Sequence, residues 1–378
     1  MCKNIILCSD GTGNKGGYGA DTNVFKLYNA VDIHNAKTQI TYYDDGVGTN
    51  TNKYIRGVTG AFGLGFGKNI RELYAFLARN YDPGEEGDPR DEIYLFGFSR
   101  GAATVRAFAG MVQECGLLDV NGDFCETNNE FDESKFQYQV KKAFKAYRWR
   151  NLRPQEAENF KNSKGVIVNA EGLDSERDVP IKFIGVWDTV PALGVPQDWS
   201  LTVNWFFWTL DKILDLIFPH TFYNYQLNEN IENVHHAIAI DDERKTFRPK
   251  VWREKAPERT MLYKCMNFFM PKRDFTCPQN IEQVWFAGVH SNVGGGYPRV
   301  GLSVVTLDWM VEKAKDHDLE FKDGVYKEVA ADANVYGKLY DSRDGRPFTT
   351  AIPPETLKSF AMAGSMGLLK STRRFLTG

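Results

Sequence analysis

A serine between two glycines, Gly97-Phe-Ser-Arg-Gly101, sits directly after the apolar run Ile93-Tyr-Leu-Phe96 and directly before the alanine-rich stretch 102–109. A strand that turns abruptly into a helix at such a serine forms a nucleophile elbow, in which a strained backbone leaves the hydroxyl exposed at the sheet edge. Side chains at Gly97 or Gly101 would obstruct that turn. Five residues alone often mark an ordinary turn, so the flanking strand and helix are what make Ser99 the candidate nucleophile.

A serine hydroxyl needs a base. His290 ends the run Val284-Trp-Phe-Ala-Gly-Val289 and begins Ser291-Asn-Val-Gly-Gly-Gly296, and a histidine on a glycine loop after the last strand can swing over the elbow. A third group must hold the imidazole in the right tautomer from a strand end between the two. Asp188 closes Ile181-Lys-Phe-Ile-Gly-Val-Trp187 and is the first choice. Asp241, after Ala237-Ile-Ala-Ile240, is the second. The spacing of Ile231, Val234 and Ile238 favours a helix there over a strand, and His235 and His236 would lie on it. The oxyanion of acyl transfer is expected to meet the backbone N–H of Arg100 and one from Gly11 or Thr12, in the loop Asp10-Gly-Thr-Gly-Asn14 after the first strand. Asp10 is expected to pin that loop by hydrogen bonds.

The same loop also fits a dinucleotide fingerprint over Gly11–Gly16, with Asp44 and Asp45 as ribose acids. Gly17-Tyr-Gly-Ala-Asp21 prolongs the loop before any helix, which counts against that reading. A dehalogenase-type phosphatase would need an aspartate where Cys8 stands. Six scattered cysteines form no close metal-binding pairs, so no metal or other cofactor is expected.

Strands are expected at Asn4–Ser9, Gln39–Tyr43, Glu92–Phe96, Ile181–Trp187 and Gln283–Val289. Helices are expected from Thr22 or Asn23 to about His34, around Ile70, Leu73, Phe76 and Leu77, and over Phe136–Trp149. This alternation argues for an α/β fold with a mostly parallel sheet covered on both faces. The 378 residues read as a single domain with a peripheral insertion at about 120–175 and a lid- or cap-like insertion at about 190–280. A net charge of −3 excludes the basic field that nucleic-acid binding requires, and the run Arg244–Arg259 reads as a solvated face. The short apolar N-terminus reads as a core strand rather than a signal peptide. Synthesis in the cytoplasm is expected, with export by a machine that needs no signal peptide left open.

The segment Leu201–Phe218 contains Asp211, Lys212 and Asp215, too many charges to span a bilayer. On a helix it shows one apolar face, which suits either core packing or a lid that admits acyl chains and makes peripheral membrane contact.

With Asp10-Gly-Thr-Gly-Asn14, Gly97-Phe-Ser-Arg-Gly-Ala102, Gly185-Val-Trp-Asp-Thr-Val190, Ala237-Ile-Ala-Ile-Asp-Asp-Glu-Arg244 and Gly288-Val-His-Ser-Asn-Val-Gly-Gly-Gly-Tyr297 in this order, the chain resembles the α/β-hydrolase family of the domain of unknown function 2235. Its best-known members are phospholipase effectors of bacterial type VI secretion. The resemblance implies a metal-free Ser99–Asp188–His290 triad that cleaves a phospholipid acyl ester, and an immunity or secretion partner of unknown identity. Asn292 stands where aspartate is more usual. The effectors are longer and carry membrane-anchoring modules, so this chain is expected to be little more than the catalytic domain. A non-lipid serine esterase, or a binding protein on a hydrolase scaffold, is the alternative.

Overall fold

The computed structural model describes residues 2–11, 16–17, 20–46, 65–84, 89–120, 131–163, 165–167, 179–190, 231–244, 249–252 and 280–341. In chain order its elements are β1 (Asn4–Ser9), α1 (Asn23–Ala30), β2 (Gln39–Asp44), α2 (Phe66–Asn80), β3 (Glu92–Phe98), α3 (Arg100–Cys115), β4 (Leu117–Leu118), α4 (Glu133–Trp149), α5 (Pro154–Lys161), β5 (Val166–Ile167), β6 (Ile181–Trp187), β7 (Ile231–Ala239), β8 (Asn280–Phe286), α6 (His290–Gly294), α7 (Gly301–Lys315) and α8 (Asp323–Ala330). The fold is α/β and hydrolase-like. Six strands form one sheet in the order β2-β1-β3-β6-β7-β8, and every pairing in it is parallel.

Helices cover both faces, and alternation along the strands decides which residues each face receives. Leu95 and Ile93 of β3 join Ile70, Leu73 and Leu77 of α2 and Val105, Phe108 and Val112 of α3 in one cluster. Tyr94, Phe96 and Phe98 of the same strand face Val24 and Leu27 of α1 and Leu307 and Met310 of α7. Because both faces are buried, the strands carry near-continuous apolar runs, as parallel sheets require. The helices α4 and α5, from the stretch expected to be peripheral, add Phe136, Val140, Tyr147 and Phe160 to the first cluster.

The order of the sheet positions the site. From β1 the chain crosses to β2 on one side and returns to β3 on the other, so a crevice opens beyond the carboxyl ends of β1 and β3. Ligands of open α/β sheets bind at such reversals. The loop 10–11 leaves β1 there, and Ser99 leaves β3 there.

One expectation is corrected outright. Residues 231–239 form a strand of the main sheet rather than a helix, and His235 and His236 therefore point to opposite faces. A strand buried on both sides shows no apolar alternation, so the spacing of Ile231, Val234 and Ile238 fits either element. The sheet thus passes through the stretch assigned to a lid- or cap-like insertion. The segment Leu201–Phe218 itself lies outside the described residues. Among the described residues, no helix is long and apolar enough to cross a membrane.

Candidate active site

Ser99 adopts φ 58° and ψ −119°, a left-handed conformation that a non-glycine residue holds at a cost of about 1–3 kcal/mol. Neighbouring strand ends hold it there. Its N–H donates to Trp187 O at 3.0 Å, and its carbonyl accepts the Val190 N–H at 3.2 Å. Close approach explains both glycines. A Cβ on Gly97 would lie 2.7 Å from the Ala102 backbone, and one on Gly101 would lie 2.1 Å from Ser9 O and 2.5 Å from Asp10 O. The second contact is what lets the loop after β1 sit against the elbow.

Asp188 is also left-handed, at φ 39°; among the described residues the only other non-glycine with positive φ is Asp318. Its N–H donates to Ala237 O at 2.7 Å, and its Oδ1 accepts the Ala239 N–H at 3.0 Å. That leaves Oδ2 facing His290, 2.5 Å from Nδ1, while His290 Nε2 lies 2.8 Å from Ser99 Oγ. All three residues are buried, with Ser99 7 % exposed. An ionised carboxylate only accepts, so Nδ1 carries the proton in this pairing and Nε2 is free to receive one from the serine.

His290 does not hang on a swinging loop. It opens the short helix α6, whose C-terminal end is fastened: Thr22 bridges Gly295, and the buried Asn23 amide donates to Val293 O at 2.9 Å and to Ser303 O of α7 at 2.7 Å. The glycine run 294–296 looked like loop because its role as a helix end is invisible in composition. Asn292 donates its amide to Lys338 O at 3.0 Å, a bond that an ionised aspartate there would lack.

The second-choice acid lies elsewhere. Asp241 is exposed, and its Oδ2 accepts the Gly288 N–H at 2.6 Å, so it ties the loop before His290, whereas Asp188 is the carboxylate at Nδ1. Asp242, not singled out in the sequence, accepts the His290 N–H at 3.1 Å. It is paired with Arg244, which is buried rather than part of a solvated face.

On the oxyanion side, Asp10 takes the Gly11 N–H at 2.6 Å on Oδ1 and the Thr22 and Tyr43 hydroxyls at 2.6 Å on Oδ2. In this structure the Gly11 N–H is therefore turned to Asp10. Thr12 lies outside the described residues. Below Asp188, the Thr189 N–H donates to His236 Nε2 at 3.2 Å, which fixes that ring as an acceptor. Burial, reinforced by Arg106, pushes its pKa down to about 3, so it stays neutral. Among the described residues, no group of three or more His, Cys, Asp or Glu side chains is placed to hold a metal ion.

Beside this crevice, burial raises the Asp44 carboxyl from its ordinary 3.8 to about 7, against the opposing hydrogen bonds from Ser9 and Asn69. The folded chain then keeps a proton that the unfolded chain loses near pH 4, so this carboxyl's contribution to stability falls as pH rises from about 4 to about 7, opposite in sign to the contribution of His236. Asp44→Asn is expected to remove that contribution and so shift the difference between urea midpoints at the two ends of the window in favour of the higher pH. An unchanged slope would place the proton elsewhere.

With the elbow and its two partners in place, comparison with known proteins gives the lineage. The model of one protein family matches residues 3–313. The chain belongs to that family, the Tle1-like catalytic domain of type VI secretion phospholipase effectors. An uncharacterised protein of Saccharomyces cerevisiae is 24% identical over 474 aligned positions, covering 92% of this chain and 62% of the yeast protein. A crystal structure of an uncharacterised Pseudomonas aeruginosa protein is similar at 16% identity and a TM-score of 0.45, over 88% of this chain and 49% of that one. A Tle1 effector solved bound to the VgrG spike is similar at 16% identity and a TM-score of 0.37, over 80% and 52%. The chain therefore spans about half the length of these solved proteins and under two thirds of the yeast one.

Proposed function

We propose that the protein is a serine esterase of the phospholipase A type, working through an acyl-enzyme on Ser99. One observation carries this reading: the unbroken path from Ser99 Oγ through the imidazole of His290 to Asp188. Membership of a phospholipase-effector family supports the choice of lipid substrate.

In this reading His290 Nε2 takes the Ser99 proton as Oγ attacks the acyl carbonyl. Asp188 keeps Nδ1 protonated and stabilises the imidazolium that forms. The Arg100 N–H and a second donor, from Gly11 or Thr12, meet the tetrahedral oxyanion; Gly11 would serve only after leaving Asp10. The imidazolium then protonates the departing alcohol, the lysophospholipid in the case of a phospholipid. Water activated by the same imidazole releases the fatty acid and restores Ser99. The family's description also carries the reading that the chain works with a secretion apparatus and needs no signal peptide for export.

The test is mass spectrometry of products from a mixed panel of phospholipids and small esters, comparing wild type with Ser99→Ala. Fatty acid released by wild type alone is the expected result. Equal release by both removes the triad. Turnover of small esters without fatty-acid release keeps the esterase and removes the phospholipase.

A further inference from the structure

We propose that the buried Asp242–Arg244 pair is a positioning device for the base, fixing the turn from which His290 projects and placing a carboxylate where it favours the imidazolium formed during acylation. This rests on Ser99, His290 and Asp188 acting as proposed above.

The geometry is specific. Asp242 Oδ2 accepts the His290 N–H at 3.1 Å and Arg244 Nη2 at 2.6 Å, while Oδ1 accepts Arg244 Nε at 2.9 Å and the Arg244 N–H at 3.0 Å. Asp242 is 7% exposed and Arg244 8%. Burial by itself would raise the Asp242 pKa, but the hydrogen bonds and charge of Arg244 outweigh it and the net direction is downward, with the charge of His290 contributing. The carboxylate is thus held ionised against the residue that must become a cation.

Anchoring the loop does not by itself account for the pair. Asp241, next in the chain, already ties Gly288 in both directions, accepting the Gly288 N–H at 2.6 Å and donating its own N–H to Gly288 O at 3.1 Å. A buried ion pair is a poor source of stability, because desolvating two charges offsets most of their attraction. Its value here lies in direction, since a guanidinium fork fixes the plane of the carboxylate that receives the His290 N–H. Among the described residues, the charged groups that meet this turn include Asp188 on the ring, Asp242 with Arg244 on the His290 N–H, and Asp241 on the Gly288 N–H.

The pair is tested by the rate at which a fluorophosphonate labels Ser99 in the full chain, measured from about pH 5 to about pH 9, where the base must lose its proton for labelling to proceed. Asp242→Asn keeps an oxygen for the His290 N–H but removes the carboxylate that meets Arg244. We expect labelling about tenfold slower and an acid limb displaced downward by about half a pH unit or more, because removing a negative charge beside the Arg244 guanidinium disfavours imidazolium. In Asp242→Asn/Arg244→Gln both charges of the pair are removed. That double variant serves if the single one does not fold, and its limb is expected to return most of the way while labelling stays slower than wild type. An acid limb and rate equal to wild type in both variants, with only the melting temperature lowered, overturn the proposal and leave the pair a structural tie. Failure of wild type to label above the Ser99→Ala control overturns the nucleophile itself, and the inference with it.

Discussion

Ser99→Ala is expected to lower ester hydrolysis by about 10,000-fold or more, and His290→Ala by a similar factor, with the double variant scarcely worse than either single one. The factors do not multiply because the two groups act on one proton: without the hydroxyl the base has nothing to deprotonate, and without the base the hydroxyl stays a weak nucleophile. Ser99→Ala should fold, since the backbone that strains Ser99 is held by main-chain bonds to Trp187 and Val190 that do not use the side chain. Steady-state rates on a small ester, with circular dichroism as a control on folding, measure the effect. Additive losses would mean that the 2.8 Å contact between Ser99 and His290 is not used in the reaction.

The two aspartates proposed for the third role separate sharply. In Asp188→Asn the Ala239 N–H still claims one amide position as acceptor, which turns the new NH2 group toward His290 Nδ1. Two donors cannot face each other, so the imidazole shifts its proton to Nε2 and can no longer accept one from Ser99. A loss in kcat of about a thousandfold or more is expected, with KM little changed. Asp241→Asn keeps an oxygen for the Gly288 N–H on an exposed side chain, and a change within about fivefold is expected, the worth of one hydrogen bond. Kinetics of both variants on one ester decide the assignment. A larger loss at Asp241 would reverse it.

How far the sequence disclosed this arrangement depends on how each residue is buried. The bounds of β1 and β6 are legible because each is an apolar run stopped by a polar residue at a turn, Asp10 and Asp188. The strand β7 is not, because a central parallel strand has no polar face to mark its period. The last strand, expected at Gln283–Val289, runs from Asn280 to Phe286, because the apolar residues Val284–Val289 continue past the strand into the turn before His290. Ser99, Asp188 and His290 stand out as polar residues at strand ends, and the structure brings these three together. Asp242 and Arg244 do not stand out: in the sequence Arg244 opens the run read as a solvated face and Asp242 lies just before it, and only the fold shows the guanidinium turned inward onto the carboxylate. The neutral acceptor role of His236 is hidden for the same reason, since it depends on a Thr189 N–H brought across from a neighbouring strand end.

The most direct measurement is the location of a covalent fluorophosphonate adduct by peptide mass spectrometry in wild type and in His290→Ala. The expected result is an adduct on the peptide containing Ser99 in wild type, with labelling of that peptide nearly abolished in the variant. An adduct on a different residue, or labelling of Ser99 at an undiminished rate without His290, would contradict a serine made reactive by this histidine.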